Sequence, residues 1–540
     1  MMAIEGVQTT RIKKAPAFTD HHASKYLKRG FEALMKKDFN DASACANLVL
    51  KYKPKLHEGH FLVGLIAIEV SEWGAAKKAF SIVISLKKDH AAAWAQLSRI
   101  HAKTGSFNAA EESLQKAVEF GSEDPLVLDV IGAVYTLMGD QEAALKCFEA
   151  SCKDTQDVSF LMNKGRCLLY LGKFKEAREA LDLVLKLSPQ ITAAHFTMSR
   201  LEKATSIDHI NEMLGLLEKY KKDAPPTSSL YFGMGKEYED LEMWPEAIEA
   251  YENGTRIRRK GITYNETEEI DAFESLKETF TKEWLDNSEE GCLDASPIFI
   301  IGQPRTGTTL TERILTARDD IHSAGELPQF GMNLKKMAGT AQSHMIAKET
   351  VLKASSINLK ALGEAYMETT RSLRSGLPHF VDKLPLNYLY APVIAAALPN
   401  AKIIHVTRDP MDSCFSSYKQ LFAEAYYHSY NQGEMARHHC RYRKLMEHYR
   451  SVLGDRMLDV AYEEVVVDLE AQARRITEFL GLDWQDASLE FHKQKTAVTT
   501  ASAAQVREKA HSRSVGKWKR FEKELAPMKD ILLKEGVLEL

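Results

Sequence analysis

The sequence predicts a two-part fold, an all-α array of helical repeats followed by an α/β domain with a parallel sheet. A 34-residue periodicity in the N-terminal half and apolar strands alternating with helices in the C-terminal half support this prediction. The 540 residues also exceed what a single hydrophobic core usually supports. The predicted parts are an N-terminal tail at 1–22, the repeat array with a capping helix at 23–285, a linker at 286–296 and the α/β domain at 297–540.

Composition narrows the class of protein. The 71 basic and 75 acidic residues give a net charge of −4, so no overall field attracts nucleic acid or an anionic membrane. The seven cysteines are not closely paired, which argues against a disulfide framework or a zinc motif. The N-terminus lacks the apolar core of a signal peptide, and no stretch approaches the roughly 20 apolar residues of a membrane span. We therefore expect a soluble, cytoplasmic protein with no nucleic-acid partner and no membrane span.

Small residues recur every 34 residues through the N-terminal half. They are Gly30, Gly64, Ser98 and Gly132, joined by Ala42, Ala76, Ala110 and Ala144 with the same period. Small residues at such positions let paired helices approach closely, while large side chains such as Phe80 and Phe148 fill the groove between neighbours. The pattern resembles the tetratricopeptide repeat, a helix–turn–helix unit, and roughly six or seven units would cover residues 23–262.

Two parts of the array are irregular. The unit around 191–227 is degenerate and is interrupted by Pro225 and Pro226, and the stretch 264–285 is predicted to cap the array. An array of this kind offers a concave surface that commonly binds a peptide or protein partner. A scaffold that only packs against the second domain is an equally open alternative.

The most informative segment is the strand–turn–helix that begins the α/β domain. An apolar run, Ile298–Ile301, predicts a buried strand, and a turn rich in glycine and hydroxyl residues leads into a helix. Free backbone N–H groups and the helix dipole at such a turn favour a bound anion. Gly302 and Gly307 have the spacing of a phosphate-binding loop, but Thr308 replaces the lysine that a nucleotide triphosphatase needs. We therefore expect a phosphate-like ligand other than a transferring γ-phosphate, with a simple capped helix start as the alternative.

Further strands and helices complete a parallel α/β pattern. Predicted strands are 298–301, 379–382, 402–407 and 457–461, and predicted helices follow at 308–317, 386–398, 411–423 and 470–480. Ligands of such sheets bind at the carboxyl ends of the strands. Three of these ends deliver a cation, Arg305, Lys383 or Arg408, which together indicate a ligand with several negative charges. Asp409, followed by Pro410, is predicted to cap the next helix.

Four motifs at these positions resemble the sulfotransferase family, in the branch related to tyrosylprotein sulfotransferases. They are Pro304-Arg-Thr-Gly-Thr-Thr-Leu310, Gly325-Glu326, Asp382-Lys-x-Pro-x-Asn387 and Arg408-Asp-Pro-x-Asp-x-x-x-Ser416. The resemblance covers residues 297–520. It implies transfer of a sulfuryl group from 3′-phosphoadenosine 5′-phosphosulfate (PAPS) to an acceptor hydroxyl, with release of 3′-phosphoadenosine 5′-phosphate (PAP). PAPS would be a co-substrate, and no permanently bound cofactor is implied.

The resemblance also implies a role for each matched residue. Donor-binding residues would be Arg305, Thr306, Gly307, Thr308 and Thr309 at the 5′-phosphosulfate, Arg408 and Ser416 at the 3′-phosphate, and Tyr462, Ser502, Gln505 and Lys517 along the nucleotide or its phosphates. Glu326 would be the general base that takes the proton of the acceptor hydroxyl. Lys383 would neutralise charge on the bridging oxygen and the leaving phosphate, and Arg305 would assist at the phosphosulfate.

No metal site is expected. Histidines at 428, 438, 439 and 448 lack a coherent ligand spacing with carboxylates. They are predicted to be surface or substrate-cleft residues.

The acceptor and the activity leave alternatives open. Tyrosylprotein sulfotransferases are membrane-anchored, disulfide-dependent enzymes and carry an acid where this chain has Leu384. The acceptor hydroxyl could therefore belong to a protein tyrosine, a glycan or a small molecule. A non-catalytic scaffold with a degenerate second domain is another alternative, although the intact set of motif residues argues against it. A nucleotide kinase on a related fold would depend on magnesium and would need the missing loop lysine.

Overall fold

The computed structural model describes residues 18–341, 346–422, 425–500 and 502–539. Most of the predicted N-terminal tail, residues 1–17, lies outside the described residues. The chain divides into two compact units, one formed by 1–104 with 109–123 and the other by 105–108 with 124–540. This division falls inside the repeat array, and the predicted domain boundaries stay predictions.

The N-terminal half is helical, with short connections between the helices. Its helices are α1 (Asp20–Met35), α2 (Phe39–Tyr52), α3 (His57–Glu69), α4 (Trp73–Leu86), α5 (Ala91–Lys103), α6 (Phe107–Phe120), α7 (Pro125–Leu137), α8 (Gln141–Ser151), α9 (Val158–Tyr170), α10 (Phe174–Leu187), α11 (Thr192–Ser199), α12 (Asp208–Leu217), α13 (Thr227–Asp240), α14 (Trp244–Lys260), α15 (Glu266–Thr279) and α16 (Lys282–Asp286). A Cβ added at Gly64 would lie 2.6 Å from the ring of Phe80, and one at Gly132 would lie 2.7 Å from Phe148. The small residues of the 34-residue period therefore lie where helices pack closely, as predicted.

The C-terminal half alternates strands with helices. Its elements are β1 (Pro297–Gly302), α17 (Thr308–Thr316), β2 (Ile321–Ser323), α18 (Gln329–Met337), α19 (Lys348–Ala354), α20 (Leu359–Thr369), β3 (His379–Asp382), α21 (Ala391–Ala397), β4 (Lys402–Thr407), α22 (Pro410–Tyr418), α23 (Gln432–Leu453), β5 (Met457–Ala461), α24 (Tyr462–Val467), α25 (Leu469–Leu480) and α26 (Ala526–Lys534). Short 3-10 helices lie at Arg371–Leu373, Pro385–Tyr390, Tyr427–Tyr430, Gly454–Arg456, Asp486–Lys493, Gln505–Arg507 and Lys517–Phe521. The predicted helix at 386–398 is therefore a 3-10 turn followed by α21.

The five strands form one parallel sheet in the order β2-β3-β1-β4-β5. The central strand β1 is buried along its whole length, with Phe299 opposite Asp382 of β3 and Ile300 opposite Ile404 of β4. The carboxyl ends of β1, β3 and β4 are therefore neighbours. The predicted fold class is confirmed, and the short edge strand β2 was not predicted.

Alternating side chains of the sheet belong to two hydrophobic cores, one on each face of the sheet. Phe299 and Ile301 belong to one core together with Phe273 of α15, and Ile298 and Ile300 belong to the other together with residues of α17 and α25. The helix predicted to cap the array thus packs into the core of the α/β domain. No helix in the described part of the chain is long and apolar enough to cross a membrane.

Candidate active site

The loop between β1 and α17 forms a tight turn. Gly307 has a φ of 103°, and a Cβ there would lie 2.6 Å from the ring of Tyr462, so both conformation and space require glycine. Arg305 also has a positive φ, 67°, in a region where a non-glycine residue costs roughly 1–3 kcal/mol. Thr306 donates from its Oγ1 to the carbonyl of Gln303 at 2.8 Å and closes the turn. The N-cap position of α17 is Gly307, which has no side chain to cap the first amides of the helix.

The side chain of Arg305 meets a distant segment of the chain. Its Nη1 donates to Ser502, and its Nη2 donates to Oε1 of Gln505 at 3.2 Å. Thr309 lies beside the same segment, with its Oγ1 3.3 Å from that of Thr500. Burial and neighbouring guanidinium groups lower the pKa of Arg305 to about 10. The structure thus brings together Arg305, Ser502 and Gln505, which the sequence assigned to one nucleotide.

Arg408, at the end of β4, lies beside this loop. Its Nη1 donates to the carbonyl of Arg305 at 2.9 Å and to Oγ of Ser416 at 3.4 Å. Its guanidinium stands 4.7 Å from the centre of the Tyr462 ring, and its Nε has no hydrogen-bond partner in the described part of the chain. Arg408, Ser416 and Tyr462 therefore form one cluster adjoining the anion loop.

Lys383, at the end of β3, is buried between two carboxylates. Its Nζ donates to Oε1 of Glu326 at 2.5 Å and lies 4.0 Å from Oε2 of Glu312. Burial alone would lower the pKa of Lys383, but the two carboxylates outweigh it and raise that pKa. Glu326 is 46% exposed, while Glu312 is buried and accepts from Ser323 at 2.6 Å. Burial raises the pKa of Glu312. One carboxylate therefore faces solvent and the other is enclosed.

Asp382 and Asn387 explain the spacing of their motif. The buried carboxylate of Asp382 accepts from Tyr366 at 2.9 Å, from Asn387 at 3.1 Å and from the amides of Leu327 and Leu384 at 3.3 and 3.2 Å. Burial raises the pKa of Asp382 to about 7, although these hydrogen bonds oppose the shift. The network ties the segment after Glu326 to the strand end that carries the lysine, so both sides of the Lys383–Glu326 pair are held.

Comparison with known proteins tests the resemblance that the motifs indicate. Residues 297–486 match the model of the sulfotransferase family, and residues 62–125 and 158–191 match tetratricopeptide repeat models. The N-terminal half of the chain thus matches tetratricopeptide repeats, and the C-terminal half matches the sulfotransferase family over 297–486. The family resemblance of the motifs is thereby confirmed.

Relatives match over part of the chain. An uncharacterised protein of Aquifex aeolicus (strain VF5) is 30% identical over 411 residues, covering 74% of this chain and 53% of that protein. Protein-tyrosine sulfotransferase A of Caenorhabditis elegans is 28% identical over 213 residues, covering 38% of this chain and 55% of the relative. The chain thus spans about half the length of each. The sulfotransferase domain of the Synechococcus PCC 7002 olefin synthase is 20% identical, with a TM-score of 0.35 and coverage of 47% of this chain and 97% of that structure.

Two carboxylates of the α/β domain contact segments that carry predicted donor-binding or catalytic residues, and neither contact was predicted. Asp412 accepts from the amides of Gly516 at 2.5 Å and Trp518 at 3.3 Å, and so fixes the backbone on either side of Lys517. Glu312 lies on α17 and holds the lysine of β3. Asp409 caps α22 by accepting from the amide of Asp412 at 2.9 Å, as predicted.

Lys517 is held by a carboxylate from outside the sulfotransferase domain. Its Nζ pairs with Glu239 of α13, and Lys419 binds the same carboxylate at 2.8 Å. The structure thus places Lys517 on the side of the site that faces the repeats. No sequence pattern signalled this contact.

The histidines were predicted to lie at the surface or in the substrate cleft, and the surface placement is wrong for three of the four. His428, His438 and His439 are buried, and the Nε2 of His448 is 3.0 Å from the carbonyl of Phe280. The rings of His428 and His438 stack 3.5 Å apart at 12°, and Glu269 lies 2.9 Å from Nδ1 of His438. Two parallel stacked rings cannot both direct a lone pair in their own plane at one ion. Within the cluster, His438 is hydrogen-bonded to Glu269 and Gln303 as part of the buried core.

A second group, His195, His209 and Glu212, lies in the repeats at a spacing that metal ligands could have. The outer ring nitrogens of the two histidines contact the carbonyl of Pro189 at 2.9 Å and Glu237 at 2.7 Å. The inner nitrogens are 3.0 Å apart and the ring centres 5.2 Å apart. That nearly linear alignment fits one shared proton better than two bonds to a tetrahedral ion.

Proposed function

We propose that this protein transfers a sulfuryl group from PAPS to an acceptor hydroxyl and releases PAP. The observation that carries the proposal is the Lys383–Glu326 pair at 2.5 Å, at a strand end adjoining the Arg305 loop. Such a pair combines a proton acceptor with a cation for a leaving group. The match to the sulfotransferase family supports the same reaction.

The donor would lie across the ends of β1 and β4. Arg305 and the turn from Thr306 to Thr309 would bind the 5′-phosphosulfate through side chains and backbone amides. Arg408 and Ser416 would bind the 3′-phosphate, and Tyr462, Ser502, Gln505 and Lys517 would line the remainder of the nucleotide. The unpartnered Nε of Arg408 supports an anion beside it, because a buried donor without an acceptor is costly.

The transfer needs one base and one stabilising cation. The acceptor oxygen forms a bond to sulfur as the bond from sulfur to the phosphate oxygen breaks, in line. The acceptor proton passes to Glu326, and the leaving phosphate takes the electron pair of the broken bond. Lys383 stabilises the charge that develops on that oxygen, and Arg305 assists at the phosphosulfate. Glu312 remains a second carboxyl group 4.0 Å from Lys383 when Glu326 takes the proton.

The proposed acceptor is a hydroxyl of a protein tyrosine. The naming of the Caenorhabditis elegans relative as a protein-tyrosine sulfotransferase favours it. The exposure of Glu326 leaves room for a macromolecular acceptor, which the repeats could help to present. Sulfuryl transfer to a glycan or a small-molecule hydroxyl, with none to tyrosine, would replace protein tyrosine as the acceptor class.

Calorimetric titration with PAP tests the donor site directly. We expect PAP to bind without magnesium and about 10- to 100-fold more tightly than 5′-AMP, which lacks only the 3′-phosphate, because ionic hydrogen bonds contribute roughly 1.5–3 kcal/mol. Magnesium-dependent preference for ATP would favour a kinase. Absence of nucleotide binding would favour a non-catalytic scaffold.

A further inference from the structure

The donor half of the site borders side chains from helices α7–α14, which we call the C-terminal repeats (Pro125–Lys260). Arg200 follows α11 and is half-buried, and its charge contributes to lowering the pKa of Arg305. Its guanidinium lies 5.5 Å from the centre of the Phe196 ring. Among the described residues, no hydrogen bond or ion pair reaches this guanidinium. A half-buried arginine in this condition has its donors available for a ligand.

Glu239 of α13 makes the second contact. Its carboxylate is buried and accepts from Nζ of Lys419 at 2.8 and 2.9 Å, from Lys517, and from the hydroxyl of Tyr251 at 3.0 Å. Burial would raise the pKa of Glu239, but the two ammonium groups outweigh it and hold that pKa at about 2. The repeats thus fix one predicted donor-site residue, Lys517, in place.

The carbonyl of Tyr170 makes a third contact. It accepts from the amide of Val498 at 2.9 Å and from Nη2 of Arg507 at 3.0 Å. Gly172 has a φ of 73°, and a Cβ there would lie 2.4 Å from Nε of Arg507, so a larger residue would be strained and would displace this arginine. The braced segment carries Ser502 and Gln505, the partners of Arg305 in the anion loop.

These contacts concentrate positive charge at one place. Arg408 donates to the carbonyl of Arg305 at 2.9 Å, and the charge of Arg200 also reaches Arg305. Phe196, the ring beside Arg200, packs against the hydrophobic cluster that contains Phe415 of α22, the neighbour of Ser416. Asp412 lies 4.0 Å from Arg408 and already accepts two backbone amides. Like charges in a poorly solvated cleft repel one another, and a bound oxyanion relieves that repulsion. A nucleoside bisphosphate would supply such groups.

We propose that the C-terminal repeats form part of the donor site, with Arg200 as an additional ligand for the donor's phosphate groups and Glu239 as the carboxylate that positions Lys419 and Lys517. The inference rests on the proposed function, because it takes a nucleoside bisphosphate as the ligand. The C-terminal repeats would then contribute to donor binding, in addition to binding any partner.

Replacement of Arg200 gives the first test. Calorimetric titration of the full-length protein with PAP should give a dissociation constant about 10- to 100-fold higher for Arg200→Gln, because an ionic hydrogen bond is lost. Arg200→Lys keeps the charge and should fall between that variant and the wild type. Arg166→Gln, an exposed arginine of the same repeats, should bind as the wild type does.

The outcomes separate the two proposals. If the wild type binds PAP and both Arg200 variants bind it with the same affinity, the inference is overturned and the proposed function stands. Absence of PAP binding to the wild type would overturn the proposed function, and the inference with it. Thermal unfolding of each variant shows whether a loss of PAP binding comes from misfolding. If Arg200→Gln is misfolded, the affinity of Arg200→Lys for PAP decides whether Arg200 contacts the donor.

The pH dependence of PAP binding tests Glu239. Lys419 faces Glu239, Lys517 and Arg305. Burial and the charges of Lys517 and Arg305 lower the pKa of Lys419 to about 8, although the carboxylate of Glu239 opposes this shift. Protonated Lys419 attracts the anion, so PAP affinity should fall as the pH rises through about 8. Glu239→Gln removes the carboxylate that raises the pKa of Lys419, so the affinity for PAP should begin to fall at a lower pH. The exposed Glu246→Gln should keep the wild-type profile. Identical profiles for Glu239→Gln and the wild type would contradict the positioning role.

Discussion

Two buried cations at the same edge of the sheet have opposite surroundings. Lys383 lies between the carboxylates of Glu326 and Glu312, which raise its pKa although burial opposes them. Arg305 lies near Arg408 and Arg200, and burial together with these charges lowers its pKa to about 10. On the lysine side, carboxylates of the protein itself neutralise the cation. On the arginine side, cations lie near one another, and a bound anion would neutralise them.

The difference assigns each side a task. A charge-balanced pair such as Lys383 and Glu326 can pass a proton and stabilise a leaving oxygen without first binding a ligand. An excess of guanidinium groups instead provides affinity for an anion. We therefore expect changes on the lysine side to lower the turnover number, and changes on the arginine side to weaken donor binding.

The largest effect should follow removal of the base. Glu326→Gln keeps the size of the side chain but cannot accept the acceptor's proton, and kcat should fall by about 10²- to 10⁴-fold. PAP affinity should change little, because Glu326 faces the acceptor and lies outside the arginine cluster. Transfer of labelled sulfate from PAPS and PAP calorimetry on the same preparation would measure both quantities.

Glu283→Gln, at an exposed acid of α16, provides the control for a general effect of charge removal. Turnover by Glu326→Gln at the wild-type rate would remove this residue from the base role. The enclosed Glu312 would then be the remaining carboxylate beside Lys383.

A smaller effect, confined to binding, should follow loss of Arg408. Arg408→Ala should raise the dissociation constant of PAP by about 10- to 100-fold, since charge-assisted hydrogen bonds contribute roughly 1.5–3 kcal/mol. Binding of 5′-AMP should weaken far less, because it lacks the 3′-phosphate assigned to Arg408 and Ser416. Equal losses for the two nucleotides would move the 3′-phosphate away from this arginine.

The sequence predicted the lysine and arginine sides but not what surrounds them. Short apolar runs mark parallel strands, and such strands place their carboxyl ends together, so Arg305, Lys383 and Arg408 could be assigned to one edge. Glu239 and Arg200 could not, because their neighbours lie more than 100 residues away and no local period encodes how the repeats dock. The surface placement predicted for the histidines was wrong for a related reason, because burial depends on tertiary packing, which residue spacing does not report.

The smallest expected effect concerns the aromatic ring that supports the arginine side. The ring of Tyr462 lies 4.7 Å from the guanidinium of Arg408, and such a cation–π contact contributes roughly 0.5–1 kcal/mol. Tyr462→Leu should therefore weaken PAP binding about two- to fivefold by calorimetry. Tyr462→Phe keeps the ring and should bind as the wild type does. If phenylalanine is as weak as leucine, the hydroxyl carries the effect, and Arg408 owes its position to its hydrogen bonds with the loop and not to the ring.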